Sequence, residues 1–207
     1  MDTAELDMKS RRRTRRKDVA PYAEVATDTL RVAPTERRQR MCVVAGPKGG
    51  LGKTSLSRNL AIAAMRSGVK VALADLDRQR TLTKWYGRRP EGMAEIPLWT
   101  AEMADIEELL TAISGYDLVI VDTPPGIEAF PEHVERLVEA ADLVLVPCGP
   151  SIDESESVTE WAAHLRRLGK PYAFVLTRAE RNTNSTKKAR MDLIKAGRLC
   201  PFDVPKV

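Results

Sequence analysis

The ten residues from Gly46 to Ser55, G-P-K-G-G-L-G-K-T-S, constrain this chain more than any other stretch. They follow the short apolar run Met41–Ala45, which reads as a buried strand. They precede Leu56, Leu60, Ala63 and Ala64, whose spacing predicts a helix over Thr54–Ser67 that stops at Gly68. A strand, a glycine-rich turn and a helix in that order build an anion site. Gly49, Gly50 and Gly52 let the backbone turn sharply and aim N–H groups inward, and the helix adds its own free N–H groups and dipole. Lys53 supplies a charge for β and γ phosphates, and the Thr54 hydroxyl suits magnesium. The expected nucleotide-binding residues here are Pro47, Lys48, Gly49, Gly50, Leu51, Gly52, Lys53, Thr54 and Ser55. The strict pattern G-x-x-x-x-G-K-[ST] would place glycine at position 47, where this chain has Pro47, and an extra lysine, Lys48, stands five residues before Lys53.

After this loop the chain alternates short apolar runs with helical segments. Val69–Ala74, Leu118–Val121, Leu143–Val146 and Tyr172–Thr177 read as strands. Helices are expected over 105–114, 132–140, 151–168 and 185–196, with a short one after the second strand. Runs apolar on both faces, each followed by a helix, predict an α/β fold of the P-loop type. Its sheet would be doubly wound and mostly parallel, with helices on both faces. The closing stretch, Cys200 to Val207, has room to start a strand, with no helix after it.

Carboxylates stand where such a fold puts its ligands, at the carboxyl ends of strands. The second strand runs into Asp75 and Asp77, and the third into Asp122. An aspartate after four apolar residues is costly to bury unless it faces a cation, so Asp122, with Thr54 and Asp75, is expected to hold Mg2+. Either Asp75 or Asp77 is placed to orient an attacking water. At the end of the last strand, Thr177 and Arg178 join the candidate nucleotide-binding residues.

Charge divides the chain. Residues 1–40 carry eleven Lys/Arg against seven Asp/Glu, and the rest balances at twenty-two of each. Lys9 to Lys17 holds seven cations and no acid. That density of like charge predicts a basic, loosely structured arm over 1–40, with at most a short helix across 22–29, leaving 41–207 as the folded domain. A second cationic surplus lies at 178–198. Arg11, Arg12, Arg13, Arg15 and Arg16 in the arm, and Lys187, Lys188 and Arg190 in the last helix, are the candidate DNA contacts, reading phosphate rather than base. Aromatics at 5% speak against a stacking platform for single strands. Three isolated cysteines, without C-x-x-C, speak against a zinc knuckle or a disulfide framework and fit a cytoplasmic setting. The absence of a long apolar run predicts no membrane span.

The chain resembles the ParA/MinD family of deviant-Walker ATPases, and the small plasmid-partition ParA proteins in particular. The resemblance rests on G-P-K-G-G-L-G-K-T-S at 46–55, D-L-D-R-Q-R-T-L-T at 75–83, V-D-T-P-P-G at 121–126 and A-D-L-V-L-V-P at 141–147. Large members carry a helix-turn-helix domain in front, for which forty residues leave no room. The resemblance implies an ATP-dependent homodimer, non-specific binding to nucleoid DNA, and slow hydrolysis stimulated by a centromere-binding adaptor protein. It further implies that Lys48 reaches across the dimer to the other subunit's phosphates, and that Asp77 positions the water, making these the catalytic pair. Arg78 stands where the family usually has proline, and the stretch after 200 holds none of the family's C-terminal helices, as expected of either a truncated sequence or a shortened architecture.

Rival readings keep the scaffold and change the task. The same ATPase would position a protein cargo such as a chemoreceptor cluster or microcompartment. A MinD-like membrane role needs an amphipathic C-terminal helix, which 196–207 does not offer. A small-acid synthetase would have no use for Lys48, and an iron–sulfur reductase would need a cysteine after the strand at 118–121.

Overall fold

The computed structural model describes residues 38–206. The arm residues Arg11 to Arg16 and the expected helix at 22–29 lie outside the described residues. Six parallel strands form the sheet: β1 Arg40–Val44, β2 Val71–Asp75, β3 Leu98–Thr100, β4 Leu118–Asp122, β5 Leu143–Cys148 and β6 Tyr172–Leu176. Six α-helices accompany them: α1 Lys53–Arg66, α2 Thr81–Tyr86, α3 Ile106–Ala112, α4 Pro131–Ala140, α5 Ile152–Arg167 and α6 Asn184–Ala196. The strand order is β3-β2-β4-β1-β5-β6, so the chain winds one way from β1 to β3 and the other way from β4 to β6.

Two-residue alternation sorts the strand side chains onto two faces. One face collects Met41, Val43, Ala72, Ala74, Val119, Val121, Val144, Val146, Phe174 and Leu176. It is covered by Ile106 and Leu109 of α3, Val134, Leu137 and Val138 of α4, Val158 and Leu165 of α5, and Leu193 of α6. The other face collects Cys42, Val44, Val71, Leu73, Ile120, Leu145, Ala173 and Val175. Leu56 and Ala61 of α1, Leu82 of α2, and Ile96 cover it, with Cys200 and Val204 packed alongside. Both faces are therefore dry, which is what runs without polar alternation require.

The sequence reading yields five strands of a mostly parallel sheet, and the structure has six, all parallel. The addition is β3, whose three residues pair with Leu73–Asp75 at the sheet edge. It escapes notice because it is short and follows Pro97 in a segment without apolar periodicity. The closing stretch runs beside β6 as isolated parallel bridges, Phe174 to Leu199 and Ala179 to Pro205. The Cys200 amide donates to the Phe174 carbonyl (2.9 Å) and the Val204 amide to that of Leu176 (2.8 Å), an incipient strand with no helix after it among the described residues.

Candidate nucleotide site

β1 delivers the chain to the loop at the sheet's carboxyl edge, and α1 begins at Lys53 on its far side. Gly50 (φ 74°) and Gly52 (φ 88°) sit in the left-handed region, which a side chain would strain. That is the local reason for glycine at those two positions. Leu51 plugs the loop into the core, fully buried. The Thr177 hydroxyl donates to the Leu51 carbonyl at 2.9 Å, and the Gly126 amide donates to the Pro47 carbonyl at 2.9 Å. The loop is thus tied to the ends of both β6 and β4.

The loop lysines have opposite surroundings. Lys53 is buried and donates to the Lys48 carbonyl (2.9 Å) and, at longer range, to that of Gly46 (3.5 Å). Burial pushes its ammonium below the ordinary lysine range, while Asp122, Asp77 and Glu128 pull it back up. Lys48 is exposed, and its ammonium donates to the Asp153 carbonyl (2.9 Å) in the first turn of α5. It therefore points away from the phosphate loop of its own chain.

Asp75 and Asp122 lie side by side as register partners of β2 and β4, and both are fully buried. Their oxygens are occupied very differently. Asp75 accepts from the Asp77 amide (3.1 Å) and from the Thr83 amide and hydroxyl (2.9 and 2.6 Å), which fixes the loop into α2. Asp122 accepts from the Ser57 hydroxyl at 3.1 Å through Oδ1, while Oδ2 is buried with no partner. Burial pushes the Asp122 carboxyl up to about 7, opposed by the nearby Thr54 and Ser57 hydroxyls and by Lys53, and reinforced by Asp75. An orphaned carboxylate oxygen beside a Thr hydroxyl is what a hard cation would satisfy. No ready cage of three or more His, Cys, Asp or Glu exists among the described residues, so phosphates and water would complete the shell of a magnesium ion.

Asp77 is partly exposed, and its Oδ1 accepts from the Gln79 amide (2.9 Å). With the loop glycines, Lys53, Thr54, Ser55, Thr177 and Arg178 it lines an open cleft of about 630 Å³. The structure thus gathers Gly49 to Ser55 of the loop, Asp77 and the β6 end around one space, while Pro47 lies outside it beside Pro131 and Trp161. Lys48 is turned outward from it, and Asp75 lies beneath it.

Sequence reasoning missed several neighbours of this cleft. Ser57 follows Lys53 by one helical turn and reaches Asp122. Arg80 adopts φ 52° and donates to the carbonyls of Asp75 (2.6 Å) and Ala101 (2.9 Å). Arg78, at the position of the family's usual proline, pairs with Glu102 at 2.8 Å, so two arginines hold the loop where proline would stiffen it. Arg178, which the sequence does single out, pairs with Glu154. Val204, Pro205 and Lys206 of the closing stretch line one side of the cleft. Of the three predicted cations on α6, Lys187 and Lys188 are exposed, whereas Arg190 pairs with Asp203. Burial pushes the Cys42 and Cys148 thiols up to about 12, so both rest in the core as protonated thiols.

A doubly wound parallel sheet with a glycine–lysine loop and buried carboxylates at its carboxyl edge defines a P-loop nucleotide-binding protein. A family profile described as the CobQ/CobB/MinD/ParA nucleotide binding domain matches residues 42–205, and the chain belongs to that family. It is 32% identical over 120 residues to the maintenance of carboxysome distribution protein A of Gloeobacter kilaueensis, covering 58% of this chain and 54% of that protein. It is 31% identical over 158 residues to the chromosome-partitioning ATPase Soj of Thermus thermophilus, covering 62% of each. The chain thus spans between half and two thirds of the length of these relatives. Among solved structures, cobyrinic acid a,c-diamide synthase from Mycobacterium smegmatis with bound ADP and magnesium superposes with a TM-score of 0.64 at 20% identity. That superposition covers 82% of this chain and 87% of the other, a likeness of fold. Among the described residues, no helix is long and apolar enough to cross a membrane.

Proposed function

We propose that this protein is an ATPase that dimerises on ATP, binds nucleoid DNA without sequence preference, and partitions plasmid or chromosomal DNA with a centromere-binding adaptor. The observation that carries this reading is the opposite placement of its two loop lysines. Lys53 is buried inside the loop against Asp122 and Asp77, and Lys48 is exposed, held only by the Asp153 carbonyl, where a second subunit's phosphates could displace that bond. A synthetase acting as a monomer needs only the first. The relatives named for chromosome partitioning and carboxysome distribution support a positioning role. The carboxysome relative keeps a protein cargo as the second reading.

In this reading the backbone amides of Gly49 to Thr54 and the Lys53 ammonium bind the β and γ phosphates, and Thr54 and Asp122 hold Mg2+, with Asp75 behind them. The bound ion supplies positive charge against the phosphate oxygens. Asp77 orients a water toward the γ-phosphorus. The new P–O bond forms as the bond to the β,γ-bridging oxygen breaks, leaving ADP, phosphate and a released proton. Lys48 of each subunit neutralises the other's triphosphate, where two polyanions would otherwise repel in a water-poor interface. Thr177 and Arg178 close the far wall around the nucleotide.

The test uses duplexes of unrelated sequence with ATP and magnesium. Wild type should bind all of them similarly and then release them as ATP is consumed. Asp77→Ala should bind equally well and stay bound, its turnover down roughly 10²-fold. Binding that ignores nucleotide, or release by Asp77→Ala at the wild-type pace, contradicts the reading.

A further inference from the structure

The described part of the chain carries a concentration of cations without carboxylate partners that the sequence reading does not single out, and of which only Arg58 lines the nucleotide cleft. From Arg78 to Arg89 there are five cations, Arg78, Arg80, Lys84, Arg88 and Arg89, with no acid among them. Arg78 is spent on Glu102 and Arg80 on two carbonyls. The other three lie at the end of α2 and just beyond it, and Arg58 of α1 joins them. The Arg58 guanidinium sits 6.0 Å from the Trp85 ring centroid on one approach and Arg89 the same distance on another, while Arg89 also lies 5.1 Å from the Tyr86 ring. Lys84 and Arg88 are exposed. None of Arg58, Lys84, Arg88 and Arg89 has a carboxylate partner among the described residues. Elsewhere on the domain Arg40, Arg136, Arg178, Arg190, Lys195 and Lys206 are each paired with an acid. Arg181, Lys187, Lys188 and Arg198 around α6 are the rival group without one among the described residues, which the test below compares. A protein surface usually intersperses charges of both signs, so four unpaired cations together demand an anion from outside.

We propose that the α1–α2 surface, built on Arg58, Lys84, Arg88 and Arg89 around Trp85, is the folded domain's principal contact for the phosphates of duplex DNA. Stacking on an aromatic face holds a guanidinium flat and reduces the freedom it would lose on binding. Arg89 is held further by its bond to the Ala94 carbonyl, so Lys84 and Arg88 present the most exposed charge. An anionic membrane offers the same charge, but a membrane-binding helix needs projecting apolar side chains. Trp85 and Tyr86 are partly buried beneath their arginines instead. The position also connects the surface to the nucleotide. Arg58 lines the cleft, and α2 is anchored through Thr83 to Asp75, two residues from Asp77. Contact with DNA here is therefore coupled to the same loop that faces the γ-phosphate.

This assignment rests on the DNA-binding reading above, and the test separates the two. Fluorescence anisotropy of labelled duplex, with a slowly hydrolysed ATP analogue and magnesium, is followed across a salt series. Three proteins are compared: wild type, Lys84→Glu/Arg88→Glu, and Lys187→Glu/Lys188→Glu. Each phosphate contact contributes about 0.9 to the slope of log affinity against log salt. The α2 variant should therefore lose about two units of slope, and roughly tenfold or more in affinity at low salt. Its nucleotide affinity and circular dichroism should stay unchanged, and the α6 variant should lose less. Lys84→Gln/Arg88→Gln should fall between wild type and the charge reversal. An α2 variant with wild-type slope, or an α6 variant that loses more, overturns the assignment. Wild type that binds no duplex removes the DNA reading itself and this assignment with it. Wild type that binds anionic vesicles of phosphatidylglycerol and phosphatidylcholine but not duplex moves the surface to lipid and overturns the proposal.

Discussion

Asp75 and Asp122 show how two identical residue types, side by side on neighbouring strands, take different work from their neighbours. Asp75 has three donors within hydrogen-bonding distance and is a structural clamp for the turn into α2. Asp122 has an oxygen with none, and its raised carboxyl keeps a proton that an ordinary aspartate loses at 3.8. Because the folded protein holds that proton more tightly than the unfolded chain, Asp122 favours folding most at low pH. Its contribution declines as pH rises from about 4 to about 7. Asp122→Asn does not titrate and keeps an acceptor for Ser57. In the nucleotide-free protein it should be more stable than wild type at pH 8, by an amount that shrinks toward pH 5, as read from urea midpoints. The same variant should lose the gain in nucleotide affinity that magnesium brings. A variant less stable than wild type at pH 8 would show that Asp122 is already satisfied without a cation.

At the scale of elements, the loop between β2 and α2 is anchored in the core by Leu76 and held beyond it by polar side chains. Asp75 receives Thr83, Arg80 bridges the carbonyls of β2 and the segment after β3, and Arg78 is pinned to Glu102. Thr83→Val removes one donor from a buried carboxylate, which costs about 1–3 kcal/mol. The loss should appear in chemical unfolding and, because Asp77 is carried on the same loop, as slower turnover with nearly normal nucleotide binding. Equal turnover would mean that the loop's order is set elsewhere. Much of this architecture was legible beforehand. The loop, α1, the strand ends and the carboxylates at 75, 77 and 122 follow from apolar runs and glycine positions, which report local geometry. The edge strand β3 was not, since three residues carry no period. Nor was the α1–α2 cation cluster, because whether a lysine or arginine has an acid beside it depends on the fold. Arg190 illustrates the converse, a cation singled out from sequence that the fold pairs with Asp203.

At the scale of the whole molecule, Lys48 stands outside the lining of the cleft, on the exposed surface. The loop, the carboxylates and the β6 end enclose the nucleotide cleft from within one chain, but the exposed lysine donates only to a backbone carbonyl at the start of α5. In the proposed dimer, a lysine at that place would cancel charge at an interface around two nucleotides that would otherwise hold the subunits apart. Family membership and the parallel sheet are compatible with monomeric enzymes as well, so dimerisation is the point on which the reading turns. The direct measurement is light scattering of wild type, Lys48→Ala and Lys53→Ala with magnesium and a slowly hydrolysed ATP analogue. Nucleotide affinity of each is taken alongside at protein concentrations too low for dimers. Wild type should move from its 23.0 kDa monomer to about twice that mass. Lys53→Ala should lose nucleotide affinity itself, and Lys48→Ala should keep that affinity and remain a monomer. A Lys48→Ala protein that dimerises as wild type does, or a wild type that stays at 23.0 kDa with nucleotide bound, would contradict the account.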